Sequence, residues 1–227
     1  MRESTSASEG AGEPPPGRRR PRRRARSDRR QAAARIEILH CAASLFRKRG
    51  YHGATVEEIA ASRQMKKGNL YYYFKNKEAI LFACHQYSLD RLMETLVDME
   101  AAASAPDEKL RRLITAFVHT ILDELHGTAL FLDLEALSPA HRRAVVARRD
   151  RFDHGMRRIV SEGIEAGLYP GADAKLLSFA ILGAVNWIPR WFRRTGPASS
   201  EEIADTFAGF LIAGLKHGAD GARAGQI

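Results

Sequence analysis

The stretch TVEEIAASRQMKKGNLYYYFKNK, Thr55 to Lys77, constrains this chain more than any other. It reads as two short helices joined by a turn. Thr55-x-x-Glu58 is a capping box, in which each side chain satisfies an orphan backbone donor of the other. Val56, Ile59 and Ala60 form the inner stripe of the helix it opens, and Ser62, Arg63 and Gln64 make the turn. A second helix runs from about Lys67 to Phe74, with Leu70 and Phe74 at i, i+4 facing a small core. Lys67, Asn69, Tyr72 and Tyr73 then point outward. Successive helical residues sit about 100° apart, so Tyr71, Tyr72 and Tyr73 cannot all face inward. Lys66, Lys67, Lys75 and Lys77 bracket the segment. A short helix with basic ends and exposed amide and phenol groups fits the DNA major groove, which is about 12 Å wide and admits one α-helix.

The flanks extend the same pattern. A helix is expected from about Arg29 to Arg49, with Ile36, Leu39, Ala43 and Phe46 at helical spacing. Gly50 can take the left-handed position after it, letting Tyr51 fold back over the last turn. Asn76 is placed to cap the next helix, with Glu78 in its first turn. Residues 1–28 are rich in Ser, Gly, Pro and Arg and are expected to form a disordered tail. The net charge of +9 is unevenly spread: residues 1–35 carry +7, residues 36–84 carry +4, and the remainder sums to −2. A polyanion should therefore be met by the first third of the chain. The Arg run can be a solvated tail or a basic arm on phosphates or in the minor groove. Cys41 and Cys84 fall in apolar patterns without metal-ligand spacing, consistent with reduced, packed thiols in a cytoplasmic protein. No segment reaches the ~18 uninterrupted apolar residues of a membrane span, and no apolar stretch follows the basic N-terminus as a secretory signal requires.

Phe46, Gly50, Tyr51, Thr55, Ile59, Ala60, Gly68, Leu70, Tyr71, Phe74, Lys77 and Glu78 together give residues 30–82 a pattern that resembles the DNA-binding domain of the TetR/AcrR family of bacterial transcriptional regulators. The resemblance implies a three-helix, homeodomain-like helix-turn-helix whose third helix enters the major groove, in a two-fold dimer. It implies phosphate contacts from Thr55, Tyr71 and Lys77, and base-edge contacts from Lys67, Asn69, Tyr72 and Tyr73, with Lys66 beside them. The side-chain chemistry agrees: Lys donates to guanine O6/N7, Asn pairs with adenine, and Tyr hydroxyls reach phosphates. The chain departs from the family pattern twice. Gln64 stands where Gly is usual in the turn, and Lys66 stands where Ser or Thr usually caps the third helix. Lys66 and Lys67 put cations at a positive helix end, which a docked phosphate would turn to advantage.

Beyond residue 82 the sequence predicts an all-α body, for about nine helices in total. The expected division is a tail over 1–28, a helix-turn-helix domain over 29–82, an effector-binding and dimerisation domain over 83–218, and a flexible end over 219–227. Leu110, Leu113, Ile114, Phe117, Ile121 and Leu125 form one helical stripe. On the opposite face His119, Asp123 and His126 recur at i, i+4, i+7; a solvated polar face is favoured over a metal site there, and no metal is expected. A short apolar helix is expected over 129–139 and a long charged one over 140–167. The segment from about Ala172 to Arg194 is apolar nearly all round, so one side needs cover from outside its own core. Leu182 and Phe192 there, with Phe207, Phe210 and Leu211 near the C-terminus, are the expected dimer interface. Pro189 should kink or break its helix. Trp187, Arg190 and Trp191 around it, with Phe117, are the candidate effector pocket; the alternative for the two indoles, favoured for Trp191, is dimer packing with a basic rim.

The run from DLEAL through NWIPRWFRRTG to EEIADTF also resembles, more loosely, the C-terminal domains of TetR-type regulators of sterol, aromatic-acid and fatty-acid degradation. That resemblance implies a small hydrophobic or acyl-CoA effector and no catalytic cofactor. The reading is a ligand-responsive repressor that leaves a palindromic operator when its effector binds, and not an enzyme: no Gly-rich phosphate loop or nucleophile elbow is present. The alternative is a sequence-indifferent, Arg-tail-driven architectural protein.

Overall fold

The computed structural model describes residues 21–122, 133–169, 173–193 and 195–223. Among these there are eight helices and no strand: α1 (Pro21–Gly53), α2 (Val56–Ser62), α3 (Lys67–Tyr73), α4 (Lys77–Ala101), α5 (Pro106–Leu122), α6 (Pro139–Glu165), α7 (Ala174–Trp191) and α8 (Ser200–Arg223). Most of the short helix expected over 129–139 lies outside the described residues; the part that is described, 133–138, is a turn leading to the Ser138 cap of α6.

The first helix begins at Pro21, about eight residues before the expected start. Proline is tolerated in a first turn, and the Arg and Ala that follow are strong helix formers. Its residues up to Arg35 form one compact unit, and the chain from Ile36 forms another. Gly50 takes φ 72°, the left-handed turn the sequence called for, and Tyr51 packs on Phe46 with ring centroids 5.5 Å apart.

From Ile36 onward the described residues form two apolar clusters. The first holds Ile38, Leu39, Phe46, Ile59, Leu70 and Phe74, but it does not stop at residue 82. Cys84 and Leu89 of α4 belong to it, as do Leu137, in the turn before α6, and Val145 near the start of that helix. The second begins at Leu92 and takes in α5, α6, α7 and α8. The border between head and body cores thus falls inside α4, because a continuous helix buries different faces along its length. Cys41 and Cys84 are free thiols, and burial pushes the Cys84 thiol well above its ordinary range.

Leu110, Leu113, Ile114, Phe117 and Ile121 of the α5 stripe are buried as their spacing predicted, while Leu125 lies outside the described residues. Two glycines set how closely α6 is approached. A Cβ on Gly155 would overlap the Leu96 side chain of α4, and one on Gly163 would overlap the fully buried ring of Tyr169. Pro189 does not end α7, which continues to Trp191. In a last turn the proline forfeits one bond, and the Phe192 N–H still closes onto the Ile188 carbonyl. One face of α7 is inside (Ser178, Ile181, Val185, Ile188), while Leu176, Phe179, Trp187 and Trp191 are exposed.

Candidate functional site

The recognition unit is built from α2 and α3. The capping box forms: the Thr55 hydroxyl accepts from the Glu58 N–H at 3.2 Å, and Glu58 accepts from the Thr55 N–H at 2.9 Å. The Thr55 N–H and hydroxyl, both donating to the Glu58 carboxyl, and then the Arg49 guanidinium hold that carboxyl below its usual range. Thr55 therefore has its hydroxyl engaged within the box. Between the helices Gln64 sits at φ 53°, the left-handed region where the family usually has Gly. For an L-residue with a Cβ this costs about 1–2 kcal/mol. Gln64→Gly is accordingly expected to raise stability by up to ~1 kcal/mol, the gain being trimmed by glycine's larger unfolded-state entropy. A denaturant midpoint unchanged or lowered would contradict this.

On α3, Leu70 is fully buried and Phe74 nearly so, as expected. Lys66 occupies the N-cap and makes no side-chain cap bond. Lys67, Gly68 and Asn69 are exposed; Tyr71 is exposed and Tyr72 is 71% exposed. Tyr73 differs from the expectation: it is half-buried against the head core and meets Tyr72 edge-on at 5.1 Å. The outward face is thus Lys67, Asn69 and Tyr72, with Tyr71 and Lys66 at its margins. Without DNA, Lys67 is held by Glu57 at 2.5 Å, which keeps the ammonium above its usual pKa and the carboxyl below. Lys67 must exchange this exposed partner to reach a base, and an exposed pair is worth little. Lys77 is less free than expected. Its ammonium donates to the Tyr51 and Ala54 carbonyls, both at 2.9 Å, over the Tyr51 ring, which leaves one proton for a phosphate.

Sequence spacing missed the junction behind this unit. Glu78, in the first turn of α4, accepts from the Ser138 N–H at 2.9 Å and meets His141 Nδ1 at 2.6 Å. The Ser138 amide, and then His141, hold the Glu78 carboxyl below its usual range. Phe82 stacks on the His141 ring at 3.9 Å. The sequence reading took Pro139 as the end of a helix and not as the first residue of one, and nothing in the spacing pairs Ser138 with a residue sixty positions earlier.

In the body a cavity of about 440 Å³ opens among α4, α5, α6 and α7. Leu92, Phe117, Phe152 and Leu182 supply apolar wall; Arg149, Asp153 and Asn186 supply a polar edge. Of the candidate pocket residues only Phe117 is there. Trp187 is 61% exposed, with Arg190 over its ring, and Trp191 is exposed against Phe207. These three sit on the outer side of α7, because the buried stripe of that helix passes through Val185 and Ile188. Of the expected interface residues, Leu182, Phe192, Phe207 and Leu211 are half-buried on their own core, while Phe210 is 77% exposed. His119 is exposed beside an open groove between α4 and α5; Asp123 and His126 lie outside the described residues.

Comparison with known proteins agrees with this geometry at both ends. Residues 38–84 match the family described as bacterial regulatory proteins, tetR family, and residues 103–215 match the tetracyclin repressor-like C-terminal domain. The chain is similar to the HTH-type transcriptional repressor KstR2 of Mycolicibacterium smegmatis, with 29% identity over 189 residues, 81% of this chain and 91% of that protein. Among solved structures it is similar to the TetR family regulator PfmR of Thermus thermophilus, with TM-score 0.72 and 32% identity over 78% of this chain and 98% of that one. It is also similar to AibR in complex with isovaleryl coenzyme A and operator DNA, with TM-score 0.69 and 31% identity over 78% and 97% of the two chains. The helix-turn-helix head, the all-helical body and these matches make the chain a member of the TetR family of bacterial regulatory proteins, a DNA-binding transcription regulator and not an enzyme.

Proposed function

We propose that this chain is a dimeric, cytoplasmic repressor that holds a palindromic operator and releases it when an apolar effector, such as a coenzyme A thioester, occupies the body cavity. The observation that carries this reading is the junction of Glu78, Phe82, Ser138 and His141. It ties the first turn of α4, beside the recognition helix, to the start of α6, whose later turns line the cavity. A ligand that favours one position of α6 over another shifts the head with it. Release requires only that the two recognition helices leave the spacing of one DNA turn, about 34 Å. AibR, similar over nearly its whole length, carries isovaleryl coenzyme A and operator DNA in one complex, and KstR2 is a repressor. The acyl portion suits the apolar wall around Phe117 and Phe152. Leu176, Trp187, Trp191 and Phe210 are exposed apolar side chains that a second copy would cover. Location in the cytoplasm follows from the DNA partner; among the described residues no helix is long and apolar enough to cross a membrane.

Selection from a random duplex pool at near-physiological salt tests the reading. A palindrome with half-sites one turn apart is expected, and its complex should dissociate on adding acyl coenzyme A thioesters. Enrichment of no sequence would favour the architectural alternative. On the selected site, Asn69→Ala should cost about 1–3 kcal/mol, roughly fivefold to 150-fold, and relax preference at one base position. Unchanged affinity and preference would remove Asn69 from the reading face.

A further inference from the structure

The start of α1 serves no part of the site described above. We propose that residues 21–35 are a helical cationic arm that lies along the phosphate backbone of duplex DNA flanking the operator. This rests on the DNA-binding reading and adds a second, sequence-blind contact to it.

The segment PRRRARSDRRQAAAR has seven arginines against Asp28 alone, and it is α-helical from Pro21. Residues 25–33 are all exposed, including Arg26, Arg29 and Arg30. No apolar stripe is present to bury, so packing does not explain the helix. Like charges at i, i+4, such as positions 26 and 30, repel one another, and a polyanion alongside offsets that repulsion.

Its composition selects among polyanions. A helix that rests on a membrane surface needs a face of Trp, Phe or Leu beside its cations, and this segment has none of them. Its helical state selects the mode of contact. A helix about 10–12 Å across does not enter a minor groove about 6 Å wide, so the arm tracks phosphates instead of reading bases. Fifteen residues at 1.5 Å each span about 22 Å, the length of roughly six base pairs.

Each phosphate neutralised adds about 0.9 to the slope of log K against log salt. With about four of the seven arginines engaged, the arm supplies a slope of roughly 3–4. The test compares the full chain with a variant carrying R22Q, R23Q, R24Q, R26Q, R29Q and R30Q, since glutamine keeps helix propensity. A second variant has lysine at the same positions. Both are titrated over a salt series on the selected operator with and without ten flanking base pairs, and on a random duplex, with circular dichroism and melting confirming the fold. The expected result is a loss of about 3–4 in slope for the glutamine variant on the flanked operator and on the random duplex, recovery with lysine, and unchanged sequence preference. Slopes within one unit of the full chain on every duplex would overturn the proposal. So would an equal loss on the bare operator, which would place the arm over the operator itself, or lost binding to phosphatidylserine vesicles with the DNA slope unchanged. If the full chain selects no sequence, the operator reading fails by itself, while the random duplex still reports on the arm.

Discussion

Lowering the pH from 7 to 4 is expected to remove about 3 kcal/mol of stability through one imidazole. His85 of α4 is inaccessible to solvent, and neither ring nitrogen has a hydrogen-bond partner among the described residues. Burial pulls its pKa down from 6.5 to about 4, helped by the Arg149 guanidinium and opposed by Asp133. The folded protein therefore keeps His85 neutral while the unfolded chain takes up a proton below pH ~6.5. Its contribution is complete above that value and is lost progressively as the pH falls towards 4. A difference of about 2.5 pKa units at 1.36 kcal/mol each sets the size, as an order of magnitude. Urea midpoints between pH 7 and 4.5 should fall steeply, and His85→Leu should flatten the curve over that window. An equally steep curve in the variant would place the sensitivity elsewhere. The lowered carboxyls of Glu78 and Asp107 act lower on the pH scale: their stabilisation is present above the unfolded values, 4.5 for Glu78 and 3.8 for Asp107, and is lost as the pH falls from there through the depressed folded values.

Leu70→Ala is expected to destabilise the protein by about 2–5 kcal/mol, the range for truncating a fully buried leucine. The recognition helix has only seven residues, and Leu70 is its one buried side chain. Helices this short are not stable alone in water, and this one has no side-chain N-cap to help it. The variant should melt earlier and lose operator affinity although position 70 touches no DNA. Tyr72→Ala provides the contrast: with Tyr72 mostly exposed, it should weaken DNA binding while leaving the melting temperature nearly unchanged. A Leu70→Ala protein with native melting behaviour would mean that α3 is held by something other than its core contact.

Much of the head was legible from sequence because its signals are local. The capping box, the Gly50 turn, the Asn76 cap and the Leu70/Phe74 pair each lie within a few residues of their partners. Gln64 was recognised as an oddity, and its positive φ supplies the reason. The amphipathic stripe of α5 was equally plain. What escaped was long-range or two-sided. On a helix apolar all round, spacing does not say which side is inside, so Trp187 and Trp191 were drawn into a pocket that Phe117 lines without them. The aromatics near the C-terminus posed the same difficulty: the buried stripe of α8 runs through Ile203, Ala204, Ala208 and Ile212, and Phe210 points away from it. The Lys77 clamp and the Glu78–His141 contact join segments 23 or more residues apart, beyond the reach of any periodicity.

The division of α4 between two cores bears on how such a protein can be rebuilt. A chimera joined at residue 82 would leave Cys84 and Leu89 on one side of the seam and the core they complete on the other, and it would separate Glu78 from Ser138 and His141. A transplantable head must carry α4 through Leu89, together with Leu137 and the opening turns of α6 through Val145. The unit of exchange in this molecule is therefore discontinuous along the chain.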